Sequence, residues 1–335
     1  MMLKEKLTEL PLQVGILAGT FILFLLATFL IDPKSDLSFL APLLGLAIAI
    51  EIFVFVAMEI KQGATKHGWK HEVLDTVIAL IVAVAVWFGA SFILNTSTPI
   101  SAVVSCSMLP NLERGDFVIV QGTELQAYEI SMTQEELDSL DGRAAIFSGG
   151  EQVLSDPGSM FSYCSLERLS GRNPQVCQDF VDSPESFTEK KGAFTYNYGK
   201  CPITFSNGTE SYQPCVTSVE FKGKEYITNL SNDIIVYMPR GDDAYDVGDI
   251  VHRLMFKIDV GGETYYLTRG DNNPTLDIQA YVYGANRPNH PVAQDNVRGK
   301  VIARIPFLGY FKLFVSGYFH EDAQCRWRVD FPTVS

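Results

Sequence analysis

Three membrane-crossing helices followed by a mainly β extracytoplasmic domain with a loop-rich insertion is the architecture the sequence predicts for this 335-residue chain. Three observations predict it. Residues 1–98 contain three long, nearly charge-free stretches. After Leu94 the pattern changes to short runs rich in Val, Ile, Tyr and Phe, separated by Gly, Asp, Asn and Pro, which is strand and turn chemistry. Residues 122–231 hold four of the six cysteines and few apolar runs.

The stretches 12–31, 39–58 and 77–94 are each long enough to cross a hydrocarbon core of about 30 Å as a helix. Basic residues are retained on the cytoplasmic side. Lys4 and Lys6 precede the first stretch, Lys61, Lys66 and Lys70 lie between the second and third, and the other loop has only Lys34. The amino terminus is therefore expected in the cytoplasm and everything after Leu94 outside. The first stretch is read as an uncleaved helix because two further stretches follow it.

The expected strands are 117–121, 233–238, 249–255, 264–268 and 297–304, within a domain of residues 99–335. The insertion, 122–231, opens with Thr133 and with Glu136 three residues on, a capping-box pattern for a short acidic helix. Residues 305–319 are apolar and aromatic, but Pro306, Gly309, Lys312 and Gly317 favour a strand or a membrane-surface patch over a fourth span.

The formal net charge of −13 argues against nucleic acid as a partner. An oxidising outer compartment makes disulfides plausible, and Cys164 with Cys177 and Cys201 with Cys215 are the local pairs expected. No CxxC pair exists to support a cysteine zinc site, and neither a metal nor a cofactor is expected. Asn-x-Ser/Thr triplets at Asn95, Asn207 and Asn229 all fall on the expected outer side.

Directly beyond the third stretch stands Ser105-Cys106-Ser107-Met108-Leu109-Pro110. A serine hydroxyl is inert unless a base takes its proton and donors receive the oxyanion. Of the five histidines, His67 and His71 fall on the cytoplasmic side, His290 in a turn-rich loop and His320 in a polar tail. His252 lies in an expected strand, where rigid backbone would aim it. Two carboxylates, Asp271 and Asp277, follow around a tight turn, and either is a candidate to hold the other imidazole nitrogen.

In order along the chain, Ser105-x-Ser107-Met108-x-Pro110, Gly115-Asp116, Ile250-Val-His-Arg253, Thr268-x-Gly270-Asp-Asn-Asn273 with Asp277, and the closing run 297–309 resemble the motifs of type I signal peptidases. The likeness is to the archaeal and endoplasmic-reticulum branch, which has histidine where the bacterial branch has a lysine. The resemblance covers roughly 99–121 and 233–315. It implies Ser107 as nucleophile, His252 as general base and then acid, and Asp277, preferred over Asp271, as the group that orients the imidazole. The backbone N–H of Ser107 and the Ser105 hydroxyl would form the oxyanion hole.

The expectation is thus a membrane-bound serine endopeptidase that removes signal peptides from exported proteins and is inactivated as His252 protonates. Its expected partners are signal peptides and membrane lipid, with the protein-export channel as a candidate. Only about a dozen residues separate Leu94 from Ser107, which keeps the serine near the bilayer surface. A processing peptidase for pilin-like or surface-layer precursors, and an inactive relative that binds export substrates, stay open as alternatives. The role of the insertion is not legible from the residues.

Overall fold

The computed structural model describes residues 15–24, 26, 40–245, 248–306, 308–317, 321 and 323–334. The chain divides into two compact units, residues 1–90 with 310–320, and residues 91–309 with 321–335.

The three-span anchor is corrected by the first unit. Among the described residues one helix, Trp69–Ile93, is long and apolar enough to cross a membrane. Its 25 residues reach about 37 Å at a helical rise of about 1.5 Å per residue. In the first expected span the described helix is the shorter Gly15–Phe24, and residues 12–14, 25 and 27–31 lie outside the described residues. The second, from Leu40 on, lies within helix Leu40–His67, where Glu51 interrupts the apolar run and accepts a hydrogen bond from Thr20 Oγ1 at 2.9 Å. A carboxylate at membrane depth is costly, which a count of apolar residues does not weigh. Gly68, at φ +84°, separates Leu40–His67 from Trp69–Ile93. Tyr310–Val315 is a helix of six residues.

The second unit is built on two sheets. The first has eight strands, with Ile100–Ala102, Phe117–Gln121, Val297–Ile305, Ile234–Tyr237, Ile250–Val260, Glu263–Arg269 and Val292–Ala293 side by side. These neighbours are antiparallel, and Tyr128–Ser131 runs parallel to Ile250–Val260. Ile250–Val260 is buried along almost its whole length, as expected for a strand covered on both faces.

The second sheet corrects the loop-rich reading of 122–231. Glu151–Asp156, Ala144–Ser148, Phe187–Lys191, Phe194–Phe205, Glu210–Phe221 and Lys224–Tyr226 lie side by side, and Trp327–Val329 pairs with Phe194–Phe205. The apolar residues recur at alternate positions rather than in runs: Phe194, Tyr196 and Tyr198 point inward while Thr195 and Asn197 are half-buried. That inward face shares a core with Met255, Phe256, Ile258, Leu276 and Ile278 of the first sheet and its turn. Each such fully buried large side chain contributes about 1.5–3 kcal/mol.

Thr133 caps helix Gln134–Asp138 as expected, with Glu136 N donating to Thr133 Oγ1 and Thr133 N to Glu136 Oε2. Disulfides join Cys164 to Cys177 and Cys201 to Cys215, the two local pairs, and a third joins Cys106 to Cys325.

Candidate active site

Three adjacent strands present one residue each to the same face. His252 stands opposite Ile235, and Tyr237 opposite Ile250, so Tyr237 and His252 share a face by the alternation of side chains. Thr268 stands opposite Leu254 and joins them. All three are buried.

Asp277 begins a one-turn 3-10 helix, Asp277–Gln279, and brings its carboxylate to this face. Its Oδ2 accepts from Thr268 Oγ1 at 2.6 Å and from the Tyr237 hydroxyl at 3.1 Å, and lies 2.6 Å from His252 Nδ1. An ionised carboxylate can only accept, which assigns a proton to Nδ1 and leaves Nε2 as the acceptor nitrogen. Burial and the Asp277 charge push Tyr237 well above the usual tyrosine range, so its hydroxyl stays a donor.

Ser107 approaches Nε2 from the other side, with Oγ at 2.9 Å. The loop that carries it is pinned at each end. Met108 is fully buried among Val103, Leu112, Val118, Val120 and Val236. Asn272, also fully buried, donates its backbone N–H to Ser107 O at 2.7 Å and Nδ2 to Cys106 O at 3.1 Å. Gly270 is required beside it, because a Cβ there would stand 2.7 Å from Ser107 O. Ser105 Oγ lies 3.1 Å from Ser107 Oγ.

Asp271 is elsewhere. It forks onto Arg253, with Nε to Oδ1 at 2.7 Å and Nη2 to Oδ2 at 2.8 Å, and Asn111 Nδ2 also donates to Oδ2 at 2.7 Å. Arg253 Nη1 reaches the Leu230 and Asn232 carbonyls, both at 2.8 Å. The structure therefore brings Ser107, His252 and Asp277 together with Ser105 beside them, and gives Asp271 to the arginine.

Tyr237, Thr268 and Asn272 are contacts of this site to which sequence reasoning assigned no role. Thr268 and Asn272 fall inside the quoted motifs, whereas nothing local distinguishes Tyr237 from other strand tyrosines. His71 is an exposed helix residue 3.4 Å from Asp75, and the His67 side chain and His320 lie outside the described residues. Among the described residues one His/Asp group is compact enough to hold a cation: Asp242, Asp243 and His290. Asp243 Oδ1 is engaged there by His290 Nδ1 at 2.7 Å, and Asp243 Oδ2 by Arg240 N at 2.6 Å.

The arrangement can do acyl-transfer chemistry, since a hydroxyl, an imidazole and a carboxylate form a continuous hydrogen-bonded line. No family model matches the chain. Similar curated proteins are the signal peptidase complex catalytic subunits sec11 of three fungi. The protein of Sclerotinia sclerotiorum is 34% identical over 84 residues, 25% of this chain and 44% of that protein. That of Chaetomium globosum is 35% identical over 89 residues, 27% and 46%. That of Neurospora crassa is 36% identical over 84 residues, 25% and 44%. The chain spans less than half the length of these relatives. On the order of its motifs and on this likeness, the chain resembles the type I signal peptidases of the endoplasmic-reticulum kind.

Proposed function

We propose that the chain is a membrane-anchored serine endopeptidase that removes signal peptides from exported proteins. The observation that carries the reading is the bridge made by His252, whose two ring nitrogens reach Ser107 Oγ at 2.9 Å and Asp277 Oδ2 at 2.6 Å. Distances in this range are what proton transfer requires.

In the proposed reaction Ser107 Oγ attacks the scissile carbonyl while its proton passes to His252 Nε2. Asp277 stabilises the imidazolium and fixes its orientation. The C–N bond then breaks, His252 returns the proton to the leaving amine, and water repeats the sequence in reverse to free Ser107. Ser105 Oγ, already beside Ser107 Oγ, is proposed to donate to the oxyanion together with the Ser107 N–H. Asp271 is proposed to hold Arg253 and to take no part in proton transfer.

Helix Trp69–Ile93 is proposed as the anchor. Lys61 and Lys66 before it and Lys70 in its first turn fit a cytoplasmic side there, and the residues after Ile93 are proposed to lie outside. Signal peptides and membrane lipid are the proposed partners. The test is cleavage of a model preprotein in vesicles by Ser107→Ala and His252→Ala. Both variants are expected to lose cleavage, and wild-type cleavage by either would overturn the reading.

A further inference from the structure

Strand Phe187–Lys191 of the second sheet turns Phe187, Glu189 and Lys191 to its buried face, and Glu189 and Lys191 have no exposed surface. Charged side chains are tolerated in such a place only when they are paired and hydrogen-bonded. Glu189 Oε2 accepts from Met160 N at 2.9 Å and from the Tyr198 hydroxyl at 2.6 Å, and Oε1 accepts from Gln279 Nε2 at 2.8 Å. Lys191 Nζ donates to Pro157 O at 3.2 Å and Ile278 O at 3.4 Å.

Where these bonds leave the second sheet and its own loops, they end on one place. Gln279 and Ile278 belong to the single turn that begins with Asp277. Ser162, from the helix Met160–Leu169 of the inserted segment, adds a third bond, to Gln279 O at 3.3 Å. Gln279 Oε1 is used inward, accepting from Leu276 N at 3.0 Å. The turn is thus held from the inserted side by its backbone and by Gln279, while the first sheet holds the Asp277 carboxylate through Tyr237 and Thr268.

We propose that the inserted sheet is a positioning element for the site, with Glu189 and Lys191 as positioning residues that fix the Asp277–Gln279 turn so that Asp277 meets His252. The inference rests on the reading of Ser107, His252 and Asp277 as one catalytic line. It gives the insertion a role in the reaction itself. Burial pushes Glu189 up and Lys191 down, so each depends on its partners to keep its charge. A network serving only the fold would hold the two sheets together wherever they touch, and here its contacts across to the first sheet converge on the turn that carries the acid.

The experiment uses the full chain in lipid vesicles, with Glu189→Gln and Lys191→Met compared with wild type. Three quantities are read: kcat, KM for a model preprotein, and the downfield proton resonance of the His252–Asp277 hydrogen bond in detergent, with near-ultraviolet circular dichroism to establish folding. A displaced acid is expected to lower kcat by about ten- to a hundredfold, since small misplacements cost that much. KM stays within about twofold, because substrate binding is not the contact removed. The resonance shifts or broadens.

The reciprocal variant, Glu189→Gln with Gln279→Glu, keeps a carboxylate–amide pair across the two positions and is expected to restore kcat and the resonance. Folded variants with wild-type kcat and an unmoved resonance would overturn the proposal. So would a rise in KM alone. Should Lys191→Met fail to fold, the isosteric Glu189→Gln decides by the same readings. Retained cleavage by Ser107→Ala would remove the peptidase reading, and the resonance would still report whether Glu189 and Lys191 hold Asp277 against His252.

Discussion

Asp277 meets His252 Nδ1 at 2.6 Å, on the far side of the imidazole from Ser107, while Asp271, six residues earlier, is committed to Arg253. The two acids should therefore fail differently. Asp277→Asn keeps the shape but no longer enforces the proton on Nδ1, and kcat for preprotein cleavage is expected to fall by roughly 10³–10⁴. Asp271→Asn weakens the ion pair of a buried guanidinium and is expected to cost about 3 kcal/mol in denaturant unfolding, with the folded fraction active. A catalytic loss at Asp271 with full activity at Asp277 would reverse the assignment.

Thr268 and Tyr237 both donate to Asp277 Oδ2, at 2.6 and 3.1 Å. Hydrogen bonds to a charged group contribute about 1.5–3 kcal/mol each. Thr268→Val and Tyr237→Phe are expected to lower kcat/KM by about ten- to a hundredfold, the threonine more, because a tenfold change corresponds to about 1.4 kcal/mol. The donors share one acceptor, so the double variant is expected to fall short of the product of the singles. Steady-state kinetics on the four proteins is the check, and multiplicative losses would count against a shared role.

How much of this was legible depended on the kind of signal. Ser107 and His252 stood out because a serine in a distinctive motif needs a base, and the expected topology set aside His67 and His71. Asp271 and Asp277 could not be separated, since the path of the turn between them decides which one reaches the imidazole. Tyr237 carried no mark, because only strand register puts it on the face of His252. Glu189 and Lys191 carried no mark either, because only the fold turns both charges inward. The anchor was over-read because apolar length was counted without the position of Glu51, and among the described residues one helix, Trp69–Ile93, is long and apolar enough to cross a membrane.

The Cys106–Cys325 disulfide adjoins Ser107 and closes a separation of 219 residues. Constraining so long a loop in the unfolded chain predicts a stability loss of about 2–5 kcal/mol when both cysteines become serine. The Ser107 loop is also held by Asn272, through Ser107 O and Cys106 O, with Val329 N donating to Asn272 Oδ1 at 2.8 Å. The disulfide variant is therefore expected to lose melting temperature and keep kcat within about tenfold, whereas Asn272→Ala should lose kcat as well, because misplacing the nucleophile costs rate. Thermal unfolding and kinetics below the melting point separate the two. An equal loss of kcat in both variants would make the disulfide as strong a restraint on Ser107 as Asn272.

His290 offers a pH effect on stability. Its Nδ1 lies 2.7 Å from Asp243 Oδ1, and that hydrogen bond, aided by Asp141 and opposed by burial, raises the imidazole above its usual value. The folded state then holds the proton more tightly than the unfolded state, so protonation stabilises the fold. The contribution is complete below the unfolded value of about 6.5 and is lost as pH rises through the raised folded value. Unfolding free energy followed by urea from acid to alkaline pH should fall across that window in wild type more steeply than in His290→Gln, which cannot titrate there. Parallel curves for the two proteins would mean that Asp243 binds the neutral and charged imidazole alike and that the fold does not raise the proton affinity of His290.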